Sequence, residues 1–192
     1  MAKSYSVVLA DPPWTFNVWN AEKSDRHASH KYNLLDVDSI CQYAPPVNEN
    51  CALFLWATWP NLPDALKVIS VWGFTYRTLA WVWVKLNENS MGTHMGMGYY
   101  TRSNTEPCLL AVRGTMPVAA HDVQALIMSP IREHSRKPTE QYSKIERLYP
   151  QGPYLELFAR RKHSEKWHVW GNEVKSDIEI VAKPLPASEA ER

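Results

Sequence analysis

The chain has 192 residues, 45% of them hydrophobic and 21% charged, with 21 Lys and Arg set against 20 Asp and Glu. This is the composition of one globular domain, large enough to bury a core without disulfide help. A net charge of +1 excludes a polycation that holds nucleic acid by bulk charge, so any basic groove must be local.

Ser6 to Ala10 is a short apolar run stopped by Asp11, Pro12 and Pro13. A run of that length without alternation reads as a strand buried on both faces of a parallel sheet. Cys51 to Ala57 reads as a second. Between Pro60 and Trp72, apolar residues recur at Leu62, Ala65, Leu66, Ile69 and Trp72, which is helical spacing, and Gly73 is a natural stop. Leu79 to Val84, Cys108 to Val112 and Leu155 to Phe158 are further strands. Pro138 can open a helix whose inner face is Tyr142, Ile145 and Leu148. Strands alternating with helices predict an α/β fold with a mostly parallel sheet, whose ligands lie beyond the carboxyl ends of the strands. Asn17 to Tyr32, Asn87 to Asn104 and Arg160 to Trp167 read as loops, the first two long enough to be functional. Residues 1–174 are expected to form one domain and residues 175–192 a frayed tail.

Cys41, Cys51 and Cys108 are odd in number and form no C-x-x-C pair, which argues against a disulfide framework or a structural zinc. The first residues lack the form of a secretory leader, and no apolar run approaches the ~18 residues that span a bilayer. The expectation is a reduced, soluble, cytoplasmic protein without a membrane partner.

Asp11-Pro12-Pro13-Trp14, directly after the first strand, is the most informative segment. With residue frequencies of roughly 5%, a given tetrapeptide turns up by chance about once in a thousand chains of this length. The exocyclic amine of adenine is a poor nucleophile because its lone pair is delocalised into the ring. The Asp11 carboxylate and the Pro12 carbonyl could accept both amine hydrogens and point the lone pair at an electrophile. Consecutive prolines stiffen that geometry and present carbonyls without competing donors, while Trp14 offers a face for the base to stack on. A metal reading of Asp11 fails for want of nearby carboxylates. The motif by itself leaves cytosine, a free nucleotide or a protein amine open as acceptors.

With these residues the chain resembles the S-adenosylmethionine-dependent adenine-N6 methyltransferases, in the branch that includes the eukaryotic mRNA adenosine methyltransferase and bacterial and phage members. The resemblance runs from Val7 to Val174 and rests on several blocks in order. These include Ala-Leu-Phe-Leu-Trp-Ala-Thr (52 to 58), Trp-Val-Lys (83 to 85) and Glu106 with Leu-Leu-Ala-Val-Arg-Gly (109 to 114). They continue with Arg-Glu-His-Ser-Arg-Lys-Pro (132 to 138), Leu-Glu-Leu-Phe-Ala-Arg (155 to 160) and Trp-Gly-Asn-Glu (170 to 173). It implies a Rossmann-like domain with the catalytic motif ahead of the cofactor motif.

It also implies roles. Asp11, Pro12, Pro13 and Trp14 would be catalytic, and Trp14, Tyr32, Lys85 and Glu106 would hold the acceptor base. Lys137 would meet the methionine carboxylate of S-adenosylmethionine, where the dipole of the following helix also favours an anion. Arg160, Asn172 and Glu173 would lie near its ribose and adenosine. The family often carries a His-Asn pair after the Leu-Phe-x-Arg stretch; this chain reads Lys162-His163, which leaves His163 as the candidate ribose contact.

Basic residues cluster despite the neutral total, at Arg26 to Lys31, Arg132 to Lys137 and Arg160 to His168. Around an acceptor pocket they would meet phosphates, with the target base extruded or already single-stranded. Nothing resembles a target-recognition domain, so sequence preference is either short or supplied by a second copy or a partner subunit. DNA is the favoured nucleic acid, because appended RNA-binding modules are absent. RNA adenosine methylation and a catalytically silent platform remain the alternatives.

Overall fold

The computed structural model describes residues 3–15, 34–88, 92–98, 100–133 and 136–185. Strand β1 (Tyr5–Ala10) explains its own sequence. Val8 and Ala10 enter one core cluster and Val7 and Leu9 another, each at most 1% exposed, so none of these four positions can be polar. It pairs in parallel with β2 (Val47–Trp56) on one side and β6 (Tyr154–Leu157) on the other.

With β3 (Thr75–Leu86), β4 (Thr105–Arg113), β5 (Leu126–Pro130) and β7 (Trp167–Trp170), the sheet has the order β5-β3-β4-β2-β1-β6-β7. The expected α/β, mostly parallel, Rossmann-like fold is what the chain adopts. β4 is antiparallel to both neighbours, while the other strands are mutually parallel. That reversal has a functional consequence. The first residues of β4 lie at the same sheet edge as the last residues of β1, β2 and β3, with Glu106 opposite Trp83 and Cys108 opposite Trp56.

Helices α1 (Val37–Gln42) and α2 (Leu62–Val71) cover one face, and α3 (Glu140–Leu148) covers the other. α2 ends where expected, with Gly73 at φ 78°, a conformation that costs a side-chain-bearing residue strain. Its buried face is Ala65, Val68 and Ile69; Leu66 is 40% exposed, because at 100° per residue it falls on the flank. α3 buries Gln141, Tyr142 and Ile145, with Leu148 partly covered.

Three elements escaped the sequence reading. α1 is six residues long, too short to show a period, and is announced only by Asp36, whose side chain accepts from the Ser39 N–H at 2.7 Å. β5 and β7 are short edge strands. Over residues 175–185 the expected frayed tail is also corrected, residues 186–192 lying outside the described ones. Asp177 exchanges hydrogen bonds with Val169 on the outer edge of β7, and Ile178, Ile180 and Leu185 pack against the core. The loop expected over Asn17 to Tyr32 lies outside the described residues. Among the described residues, no helix is long and apolar enough to cross a membrane.

Candidate active site

The carboxyl edge of the sheet gathers charges from four segments far apart in sequence. Asp11 follows β1, Lys85 is near the end of β3, Glu106 is near the start of the reversed β4, and Lys137 precedes α3. The Lys137 ammonium lies 2.8 Å from Asp11 Oδ1, 2.9 Å from Asp11 Oδ2 and 3.3 Å from Glu106 Oε2. The other oxygen of Glu106 accepts from Lys85. Two cations and two anions thus form one neutral chain, of which the Lys137 and Glu106 side chains are only 10% and 9% exposed. Each ammonium also sits over an indole, Lys137 at 5.5 Å from the Trp56 ring and Lys85 at 5.3 Å from Trp83.

This arrangement sets the protonation of both acids. For Asp11, burial is the largest influence and raises the pKa; Lys137 draws it back and Glu106 pushes it up again, leaving it above the ordinary range. For Glu106, burial also raises the pKa, but Lys137 and Lys85 together outweigh it and the net shift is downward. Lys137, between two carboxylates, is raised despite its burial and stays charged.

Asp11 opens on its other side into a cleft of about 150 Å³, which it shares with Lys137, Tyr142, Glu156, Arg160 and Arg161. Glu156, in the block Leu-Glu-Leu-Phe-Ala-Arg, is a further residue of this site. Its signal was available: a charge in the otherwise apolar run Leu155-Glu156-Leu157. The Tyr142 hydroxyl lies 3.1 and 3.0 Å from its two oxygens, and burial raises its pKa to about 7. Behind the cleft, the Trp56 indole N–H donates to Gln141 Oε1 at 2.7 Å, fixing the wall under Lys137. Phe158, at the end of β6, takes φ 57°, unusual for a residue with a side chain, and lines the same cleft.

Other expected site residues fall differently. Trp14 is 5% exposed, belongs to the core cluster under α1 and α2, and donates its indole N–H to the Trp56 carbonyl at 2.9 Å. It anchors the motif and presents no open stacking face, because the ring is buried in that cluster. The Pro12 carbonyl has a competing donor after all, the Trp14 N–H at 2.9 Å, and Pro13 accepts from Leu35 N–H. One lone pair of Pro12 remains.

Lys85 and Glu106 stand behind Asp11 in the ion chain and do not line the cleft. Arg160 lines it and pairs with Glu173 at 2.9 Å. Glu173 and the exposed Asn172 follow Gly171, where a Cβ would collide with the Ala159 backbone. His163 is exposed and stacks on Tyr142, ring centroids 3.7 Å apart, outside the cleft lining. Tyr32 and His134 lie outside the described residues.

The MT-A70 family matches residues 5–173. The type II methyltransferase M.MunI of Mycoplasma sp is 32% identical over 93% of this chain and 82% of its own length. An Arabidopsis thaliana protein named N(6)-adenosine-methyltransferase MT-A70-like is 29% identical over 96% of this chain. The human N(6)-adenosine-methyltransferase catalytic subunit METTL3 is 29% identical over 93% of it. The chain spans 26% of the plant protein and 30% of the human one. The family match covers nearly the whole sheet, from the first residue of β1 to Glu173 beyond β7, so the chain belongs to the MT-A70 family.

Proposed function

We propose that this domain transfers the methyl group of S-adenosylmethionine to the N6 amine of adenine in nucleic acid, DNA being the favoured substrate. The observation that carries the reading is the Asp11 carboxylate, which closes β1, opens into the cleft and is gripped from behind by Lys137. An acceptor fixed in that way can take a hydrogen bond from the adenine amine without itself moving, and so localise the nitrogen lone pair. The free lone pair of Pro12 is the candidate for the second amine hydrogen. As the nitrogen becomes positive, the carboxylate stabilises it, and the proton leaves afterwards.

The cleft suits the donor. Leu9, Trp56 and Phe158 give it apolar walls, while Asp11, and Glu156 above its pKa of about 7, place carboxylates where a cationic ligand would lie. When bound, S-adenosylmethionine supplies a methyl group already activated by its sulfonium. Arg160, Glu173 and Asn172 are assigned to the ribose and adenosine end. His163 contributes by packing against Tyr142. Target recognition is assigned to a second copy or a partner subunit.

DNA is favoured because the type II methyltransferase is matched over 82% of its own length. The second reading, RNA, has in its support the relatives named for adenosine, a ribonucleoside. The test is transfer of labelled methyl into matched DNA and RNA oligonucleotides, followed by nucleoside digestion. N6-methyldeoxyadenosine from the DNA, lost in Asp11→Ala while donor affinity stays within several-fold, is the expected result. Label in N4-methylcytosine, or turnover retained by Asp11→Ala, would refute the assignment.

A further inference from the structure

Three tryptophans beside the ion chain, Trp14, Trp56 and Trp83, are 5% exposed or less. Trp59, three residues past Trp56, is 46% exposed. It opens a single 3-10 turn, Trp59–Asn61, between β2 and α2. A lone apolar side chain on a surface needs no explanation, but this one is braced from two sides. Its indole N–H donates to Thr105 Oγ1 at 2.8 Å, and Thr105 is the first residue of β4, next to Glu106. At the other end of the turn the buried Asn61 donates its amide to the carbonyl of Thr15, directly after Trp14, at 3.0 Å. Thr58 closes the turn by donating its hydroxyl to Asn61 Oδ1 at 2.6 Å. The turn is therefore tied at once to the Asp-Pro-Pro-Trp segment and to the strand that carries Glu106.

With its N–H already bonded inside the fold, the indole has only its π surface left to offer a ligand. A ring fixed in advance loses little entropy when something stacks on it. Position narrows the ligand. Asp11 follows Ala10, which is level with Leu55 on β2, and Trp56 is level with Cys108 on β4. Thr105 thus lies two strands across and three residues outward from Asp11, which puts their backbones roughly 14 Å apart. That is farther than one purine reaches from an amine held at Asp11, and within reach of the next nucleotide. The exposed Arg102, three residues ahead of Thr105, adds a cation for a phosphate on the same side.

We propose that Trp59 is the platform on which the nucleotide next to the target adenine stacks. The inference rests on the methyl-transfer reading and adds to it a contact that holds the strand while the target base occupies its site. Every base has a π face, so the contact is tolerant of sequence and common to DNA and RNA. Thr105 is a positioning residue for the ring and touches no substrate.

The test uses the full chain with single-stranded DNA and RNA oligonucleotides of randomised sequence, and an abasic DNA oligomer of the same length. Labelled-methyl transfer gives KM and kcat, and fluorescence anisotropy gives affinity. Trp59→Leu is expected to raise the oligonucleotide KM and Kd about tenfold, the loss of one stacked base, with kcat within about twofold. The abasic oligomer offers phosphates alone, and its binding should change by less than about twofold. Trp59→Phe keeps a ring and recovers most of the loss. Thr105→Val releases the indole N–H and should raise KM about threefold. Affinity for S-adenosylhomocysteine, measured by calorimetry, is expected to be unchanged in all three, and thermal melts establish that they are folded.

An unchanged KM in Trp59→Leu, an equal loss for the abasic oligomer, or a fall in kcat alone would overturn the platform and leave the methyl-transfer reading intact. An unmodified protein that transfers no label to either oligonucleotide would overturn the methyl-transfer reading. A Trp59-dependent loss of anisotropy in that protein would still place a base on the ring.

Discussion

The Lys137 ammonium sits within 2.9 Å of both oxygens of Asp11, a residue 126 positions away in sequence, and also contacts Glu106, which Lys85 holds from the far side. The orientation of the proposed catalytic carboxylate therefore depends on Lys85, three links removed. Lys85→Met leaves Glu106 with one cation, so Lys137 is drawn toward Glu106 and away from Asp11. Turnover is expected to fall about tenfold with donor affinity nearly unchanged, a loss of roughly 1.4 kcal/mol in barrier terms. Glu106→Ala leaves two facing ammoniums and is expected to cost about 3 kcal/mol of stability. In the double variant the losses should be less than additive, by about 1–3 kcal/mol, because each single change strands the other's partner. Strict additivity in chemical denaturation would dissolve the chain into independent pairs.

Glu156 makes a prediction about pH. Its folded pKa, about 7, lies above the ordinary carboxyl value of 4.5, so between those values the folded protein holds a proton that the unfolded chain has released. Stability from this group is complete below pH 4.5 and is lost as pH rises through 7. The loss should approach about 3 kcal/mol, one unit being worth about 1.4. Glu156→Gln, which keeps the hydrogen bond to Tyr142 and cannot ionise, should flatten the decline between pH 5 and 8 in urea titrations. An unchanged slope would mean that Glu156 is ionised throughout.

What the sequence disclosed and what it withheld follow from the range of the interactions. β1 and its breakers are local, and an unalternating apolar run has one reading when both faces are covered. The direction of β4 is not local. Cys108 to Val112 is equally apolar read either way, yet its reversal is what brings Glu106 to the edge that holds Asp11. The same holds for Trp14, which looks like a platform beside two prolines, yet its ring is buried in the core. Glu156 was legible, because a charge inside a buried strand demands a partner or a function. The pairing of Lys137 with Asp11 was not, since nothing in either neighbourhood encodes a contact across 126 residues.

Residues 176–185 are expected to behave as part of the domain. Asp177 accepts from the Val169 N–H at 3.0 Å and donates its own N–H to the Val169 carbonyl at 2.8 Å, satisfying an edge of β7 that would otherwise be open. Asp177→Ala should cost about 1 kcal/mol by removing the side-chain bond. Ending the chain at Lys175 should cost more, because Ile178, Ile180 and Leu185 leave the core with it. Thermal melts of the two variants test this, and a truncated protein as stable as the full chain would restore the picture of a frayed tail.

Trp14 gives the sharpest contrast between an anchor and a stacking platform. The indole is buried, and its N–H satisfies the Trp56 carbonyl, on the same strand end whose side chain lies under Lys137. Trp14→Phe removes that donor and some volume, and should cost about 1–3 kcal/mol of stability. Trp14→Ala opens a cavity in the cluster beneath α2 and should cost about 3–5 kcal/mol. If the ring only anchors, the phenylalanine variant keeps its KM for an oligonucleotide within about twofold, since stacking on an aromatic is worth about 1–3 kcal/mol and nothing of that kind is lost. Steady-state kinetics beside a thermal melt separate the two roles. A variant with an unchanged melting temperature and a KM raised tenfold would put the adenine on Trp14 and require the buried ring to become accessible when substrate binds.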